Sequence, residues 1–357
     1  MKIGLIGLSD SGKTTVFNAI TGLEAPFTAY TGNRARPNVA SVAVHDTRLM
    51  TLSQAYHPKK ITCALMEIAD FTGLSAGSAR EGLFSGEAMG MIRNMEAMAL
   101  VVRNFENDFT GPPTPMKDMV QVEEELLVSD MIIAEGRMDR IQQGYMRGRK
   151  SDALHREEAI LRRVLEQLNS GLPLRAIEFS PDEETAIRGF QFLTRKPLMV
   201  ILNSDEASFG KNDTLMDEIG ATHRVIEFAG NFEMELARLD DGEEKRLFME
   251  EMGIGDSAAH RLTRLAYEIL GYISFFTVGP DEVRAWNVHR GDTALNAAAS
   301  IHTDLARGFI RAECFSYEDY IQHGSEKIIR EQGRLRLEGK GYTVQDGDIM
   351  NIRFNVG

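Results

Sequence analysis

Eight residues near the N-terminus constrain this chain more than any others: Gly7-Leu8-Ser9-Asp10-Ser11-Gly12-Lys13-Thr14. They fit the phosphate-loop pattern G-x-x-x-x-G-K-[ST], with Thr15 directly after it. The apolar run IGLIG at 3–7 reads as a short buried strand, and VFNAITG after the lysine reads as a helix stopping near Gly22. That context turns a pattern into a site, because backbone N–H groups there converge on phosphate oxygens at a helix N-terminus. Ser9, Asp10, Ser11, Gly12, Lys13, Thr14 and Thr15 are the expected phosphate contacts. Lys13 would carry its charge to the β and γ phosphates, and Thr14 would place its hydroxyl on Mg²⁺. Such a loop sits on a parallel α/β sheet, so the fold expected is that of a P-loop NTPase resembling a G domain.

The rest of the chain supplies further strands. SVAVHD (41–46), ITCALMEIAD (61–70), AMALVVRNF (97–105), KPLMVILNSDE (196–206) and HRVIEFAGN (223–231) are short, apolar and separated by polar or helical stretches. The segment TAYTGNRARPN at 28–38 reads as a loop. VQVEEELLVSDMIIAEGRMDRIQQ and DALHREEAILRRVLEQLNS are amphipathic, rich in Glu, Arg and Leu, and joined by GYMRGRKS. They predict an antiparallel helical hairpin whose seam holds Leu126, Ile133, Met138 and Ile141 against Leu154, Leu161, Val164, Leu165 and Leu168. Residues 240–272 read as helical, and 274–357 as a small α+β domain. The expected organisation is a nucleotide-binding domain over 1–117 and 177–273, a hairpin insertion over 118–176, and a final domain over 274–357.

A net charge of −13 argues against a general nucleic-acid coat. Distribution matters more than the sum. Between Arg137 and Arg163 the hairpin holds seven arginines and Lys150 against four acids, an excess of four positive charges. Arg147, Arg149 and Lys150 cluster at the tip beside Tyr145, a pattern that suits RNA phosphate with one stacking ring, although a solvated charged hairpin explains it equally. Cys63 and Cys314 lie far apart without metal-ligand spacing and read as reduced, buried thiols. The eight histidines show no metal-ligand spacing either. Trp286 and Phe309 read as core. No apolar run approaches a membrane span and no signal segment is evident, so the expectation is a cytoplasmic protein without a membrane partner.

Two further stretches bear on chemistry. Asp70-Phe71-Thr72-Gly73 closes a strand after the P-loop unit, where an aspartate can hold the Mg²⁺ shell and Gly73 can offer its N–H to the γ-phosphate. Asn203-Ser204-Asp205-Glu206 stands where GTP-binding proteins carry N-K-x-D. Glutamate in place of the last aspartate is one methylene longer, which weakens the case for guanine and admits adenine. Asn203, Glu206, Ala229 and Gly230 complete the expected nucleotide contacts, and ATP or GTP is the expected ligand.

The order of P-loop, DxxG, hairpin, NxxE and C-terminal α+β domain resembles the YchF branch of the Obg-like P-loop ATPases/GTPases. Matching stretches run along nearly the whole chain: RPNVASVAVHDTRL, MEIADFTGLSAGSAREGL, VRNFEND, RKPLMVILNSDE, ARLDDGEEKRLFMEEMGI, EVRAWNV, IHTDLARGFIRAE and QDGDIMNIRFNV. The resemblance implies a C-terminal TGS domain of β-grasp fold, binding of ATP as well as GTP, Mg²⁺ as cofactor, and association with the ribosome through the hairpin tip and TGS domain. It also exposes departures. The family loop GxPNVGKS has lost Pro, Asn and Val here, and Asp10 brings a carboxylate beside the phosphates, at a cost of about 1–4 kcal/mol per unit charge. Arg34 stands where a switch-loop threonine is expected, and Leu74 matches a hydrophobic family position. Leu100 occupies the position of a histidine thought to act in hydrolysis. Lys13 and Gly73 would stabilise charge in the reaction, yet no residue is identifiable for positioning water. Two readings therefore stay open: a slow Mg²⁺-dependent hydrolase acting as a ribosome-associated switch, and a nucleotide-binding regulatory module that does not hydrolyse.

Overall fold

The computed structural model describes residues 1–26, 37–71, 86–107, 111–240 and 242–355. In chain order the elements begin with β1 (Lys2–Ile6), α1 (Lys13–Thr21), β2 (Asn38–Ala43), α2 (Thr47–Tyr56), β3 (Lys60–Thr62) and β4 (Leu65–Asp70). Next come α3 (Gly86–Arg93), β5 (Ala97–Asn104), α4 (Pro115–Met146), α5 (Asp152–Asn169), α6 (Pro181–Ile187), β6 (Leu198–Ser204), α7 (Asp213–Gly220) and β7 (Arg224–Ala229). The C-terminal half holds α8 (Gly230–Arg238), α9 (Glu243–Glu251), α10 (Ala258–Leu270), β8 (Tyr272–Thr277), β9 (Glu282–His289), α11 (Ala294–Ile301) and α12 (Thr303–Arg307). It ends with β10 (Phe309–Ser316), α13 (Tyr317–His323), α14 (Glu326–Glu331), β11 (Arg336–Glu338) and β12 (Asp348–Phe354).

Two compact units result: residues 1–41 with 67–262, and residues 42–66 with 263–357. The first contains a six-stranded sheet of order β2-β4-β1-β5-β6-β7, whose β4, β1, β5, β6 and β7 run parallel. Every residue of β6 and all but one of β5 are buried, the pattern of parallel strands covered on both faces. One face packs Ile6, Leu100, Val200 and Leu202 against Met119, Val122 and Leu126 of α4.

The hairpin is present and longer than expected, since α4 starts at Pro115, a residue suited to a helix's first turn. Its seam differs in part. Met138, Ile141, Leu161, Val164 and Leu168 pack together, joined by Ala134 and Ile160, with Ile133, Leu154 and Leu165 half-buried around them. Leu126 instead packs against the sheet, so the lower turns of α4 serve the nucleotide-binding core rather than the seam.

A buried ion pair fixes the middle of α4. Asp130 is fully buried and accepts hydrogen bonds from Arg93 Nη1 at 3.0 Å, Leu193 N at 2.9 Å, Thr194 N at 2.7 Å and Thr194 Oγ1 at 2.8 Å. Arg93 also donates to Ser129 Oγ and to the carbonyl of Gln191, both at 2.9 Å.

The second unit is a six-stranded mixed sheet, β11-β10-β12-β8-β9-β3, with α11 on one face around Ile273, Phe275, Ala297, Ala312 and Met350. This is a β-grasp-like α+β arrangement. Its edge strand β3 comes from far upstream and runs parallel to β9, pairing Lys60 with Glu282 and Thr62 with Arg284. Phe309 is buried there, Trp286 packs half-buried with Arg284 over its ring, and Cys314 is buried. Cys63 is only half-buried, so the expectation of two buried thiols holds for one.

Several sequence-based boundaries shift. The strand expected at 41–46 starts at Asn38 and stops at Ala43, because Asp46 turns away to cap α2 by accepting from Arg48 N at 2.9 Å. The stretch 61–70 is two strands in two different sheets. The helical run 240–272 breaks at 252–257, where Gly253 takes φ 67°. Among the described residues no helix is long and apolar enough to cross a membrane.

Removing one partner of a buried pair leaves an uncompensated charge. Asp130→Ala is expected to lower unfolding stability by about 3–5 kcal/mol, read from the shift in urea midpoint.

Candidate functional site

The loop joining β1 to α1 is where the sequence pattern puts it, and its geometry explains the residues. Asp10 has φ 59°, the left-handed region that Asn and Asp tolerate best after glycine, so the exchange of Asn for Asp keeps the backbone shape. Lys13 is 7% exposed and donates from Nζ to the Leu8 carbonyl at 2.7 Å, folding back along the loop. Burial lowers its pKa to about 8, against the opposing pull of Asp70 and Asp10. It is thus a desolvated ammonium ready for an anionic partner.

Thr14 Oγ1 donates to Asp70 Oδ2 at 2.8 Å, bringing together two residues 56 positions apart. Asn38 Nδ2, at the head of β2, donates to the same oxygen at 3.3 Å. Asp70 Oδ1 is buried and without a hydrogen-bond partner among the described residues. Burial pushes the Asp70 pKa up, while the two hydrogen bonds and Lys13 pull the other way. An orphaned carboxylate oxygen beside a threonine hydroxyl fits Mg²⁺, which takes one or two carboxylates, keeps waters and shares substrate phosphate oxygens. When bound, the metal supplies charge neutralisation at the phosphates.

The far side of the loop is built on Asn203, 3% exposed at the end of β6. Its Nδ2 donates to the Ser11 carbonyl at 3.0 Å. A Cβ on Gly12 would stand 2.1 Å from Asn203 Nδ2, and one on Gly230 would stand 2.2 Å from Oδ1, so both positions demand glycine. Ala229 is buried beside them, its N–H bonded to the buried carboxylate of Glu233 at 3.0 Å. Arg261 pairs with Glu233 and donates to the Glu227 carbonyl at 2.6 Å. Glu206 lies exposed on the loop after β6, and Ser9 and Asp10 are exposed on theirs. Leu100 is 1% exposed within the apolar cluster under the sheet, so this position offers no polar group to the site. Arg34, Gly73 and Leu74 lie outside the described residues.

Sequence reasoning did not single out Asn38, Glu227, Glu233 or Arg261. Apart from the Ala229 N–H on Glu233, the partners named for them are distant in sequence, and no local pattern marks them.

Fold and loop together define a P-loop nucleoside triphosphate hydrolase. A family model described as 50S ribosome-binding GTPase matches residues 2–134, and a model of the YchF GTPase C-terminal region, described as a protein of unknown function, matches 272–355. The chain is 39% identical over 368 residues to the ribosome-binding ATPase YchF of Escherichia coli O157:H7, covering 99% of each. Against the proteins of that name from Haemophilus ducreyi and Bacillus subtilis the figures are 38% over 367 and 36% over 364 residues, again covering 99% of each. The solved YchF GTPase of Schizosaccharomyces pombe superposes with a TM-score of 0.83 at 27% identity, over 99% of this chain and 97% of that one. The chain belongs to the YchF family.

The lowered Lys13 pKa has a measurable consequence. In the free protein Lys13 is charged below about pH 8 and loses its proton above it. Affinity for ATP should therefore be near its maximum about one pH unit below 8, halve by about pH 8 and then weaken, approaching about tenfold per pH unit, in calorimetric titrations carried to pH 9.5.

Proposed function

We propose that this chain binds ATP in preference to GTP with Mg²⁺, hydrolyses it slowly, and uses its nucleotide state in the cytoplasm to control association with the ribosome. The observation carrying this reading is the pairing of Thr14 with Asp70 beside buried Lys13, with Asp70 Oδ1 left free for a cation. Ser9, Asp10, Ser11, Gly12 and Thr15 line the phosphates. Asn203, Glu206, Ala229 and Gly230 hold the base side. The relatives' name, ribosome-binding ATPase, supports both the nucleotide and the partner.

Slow turnover follows from what Leu100 cannot do. Phosphoryl transfer to water depends on positioning and charge stabilisation, and a leucine side chain orients no water. The same residue favours the second reading, a nucleotide holder without turnover. Single-turnover assays with ATP and GTP, in sodium and in potassium, separate the two. Phosphate release that disappears in Lys13→Ala is the expected outcome. Tight binding without release would establish the second reading.

The hairpin supports the ribosome as partner. Arg137 pairs with Glu157 at 2.7 Å, Arg162 with Glu158 at 2.5 Å, and Arg163 with Glu183. Arg147, Arg149 and Lys150 are exposed, with no side-chain partner among the described residues, and Met146 beside them is 86% exposed. Those cations remain available for phosphate. Replacing Arg147, Arg149 and Lys150 with glutamate should reduce co-sedimentation with ribosomes at low salt by about tenfold or more. Unchanged co-sedimentation would return the tip to a solvated charged surface.

A further inference from the structure

We infer that Glu227, on β7, is a positioning residue that sets the choice between adenine and guanine by holding the loop that carries Glu206. The inference rests on the reading of Glu206 as the base-contacting carboxylate.

The loop 205–212 leaves the end of β6 and leads into α7, and both of its ends are tied to one side chain. Ser204 Oγ donates to Glu227 Oε1 at 2.5 Å, and Asn212 Nδ2 donates to the same oxygen at 2.5 Å. The Gly210 N–H donates to Oε2 at 3.1 Å. Ser204 is itself held from the other side, accepting from Asn104 Nδ2 at 2.9 Å, and it is 3% exposed. Inside the loop, Ser208 donates from both N and Oγ to Asp205 Oδ1, at 2.8 and 2.6 Å, and Asn212 Nδ2 also donates to the Ser208 carbonyl at 2.8 Å. The polar groups of the loop are thus turned on one another and on Glu227. Glu206 is the exception: it is exposed and carries no hydrogen bond or ion pair among the described residues. Its frame is prefolded, and its carboxylate is left over.

The chemistry of the two purines makes that frame decisive. A carboxylate only accepts. Adenine offers it the 6-amino group, whereas guanine offers N1–H and the 2-amino group, which lie further round the ring. The same acceptor serves either base, and its position decides which one. A displacement of about 1 Å separates a productive contact from a lost one. Serine at 204 is part of the device, because a small hydroxyl can be sealed between Asn104 and Glu227 while the lysine of N-K-x-D cannot.

The test compares calorimetric affinities for ATP, GTP and inorganic tripolyphosphate in the full chain and in Glu227→Ala, Glu227→Gln, Glu206→Ala and the Glu206/Glu227 double alanine variant. The expected result is an ATP-to-GTP affinity ratio about tenfold closer to one in Glu227→Ala, with tripolyphosphate affinity unchanged. Glu227→Gln keeps the packing but offers one acceptor fewer, and it should fall between. The double variant should add nothing to Glu206→Ala, since both changes remove one interaction. A ratio that survives Glu227→Ala but collapses in Glu206→Ala overturns the positioning role and leaves the reading of Glu206 standing. A ratio that survives Glu206→Ala overturns both. Equal losses for all three ligands in Glu227→Ala would mean a purely structural residue and overturn the inference.

Discussion

The carboxamide of Asn203 holds the nucleotide site together. It fills the space that side chains at Gly12 and Gly230 would claim, and it donates to the Ser11 carbonyl. The phosphate loop, the end of β6 and the turn from β7 into α8 are thereby fixed to one another. Buried polar groups of this kind are stable only when fully satisfied, and then they specify a single arrangement. One hydrogen bond and two close approaches thus link three segments that lie far apart in sequence.

Burial disfavours the charged forms of both Lys13 and Asp70, and the attraction between them, with Asp10 adding to it at Lys13, offsets only part of that cost. The P-loop is joined to β4 through Thr14 and Asp70 and to β6 through Ser11 and Asn203, while Leu100 of β5 lies in the apolar core.

The sequence made the phosphate site readable because the cradle is local: one strand end, one loop and one helix start within 15 residues supply it. The parallel strands were readable for a similar reason, since burial on both faces leaves an uninterrupted apolar run. What failed to show were features made by pairing across long separations. Strand β3 has three residues and no apolar pattern of its own; only its register with β9 makes it a strand. Glu227 looks like the solvent-facing residue of an edge strand, and its role emerges only when Ser204, Gly210 and Asn212 converge on it. Leu126 followed the helical period of the hairpin, yet α4 is long enough to serve two cores in succession. Helix α2 did leave a local signal, Asp46 ahead of buried Leu49 and Leu52, which is a cap followed by an apolar face.

The place of β3 in the second sheet also sets a schedule for synthesis. Thr62 and its partner Glu282 are 220 residues apart, so the early strand emerges long before the strand it must join. At ordinary elongation rates of about 5–20 residues per second the interval is roughly 10–45 s. For that time residues 60–62 have no sheet to join, and a strand made early waits for one made more than half the chain later.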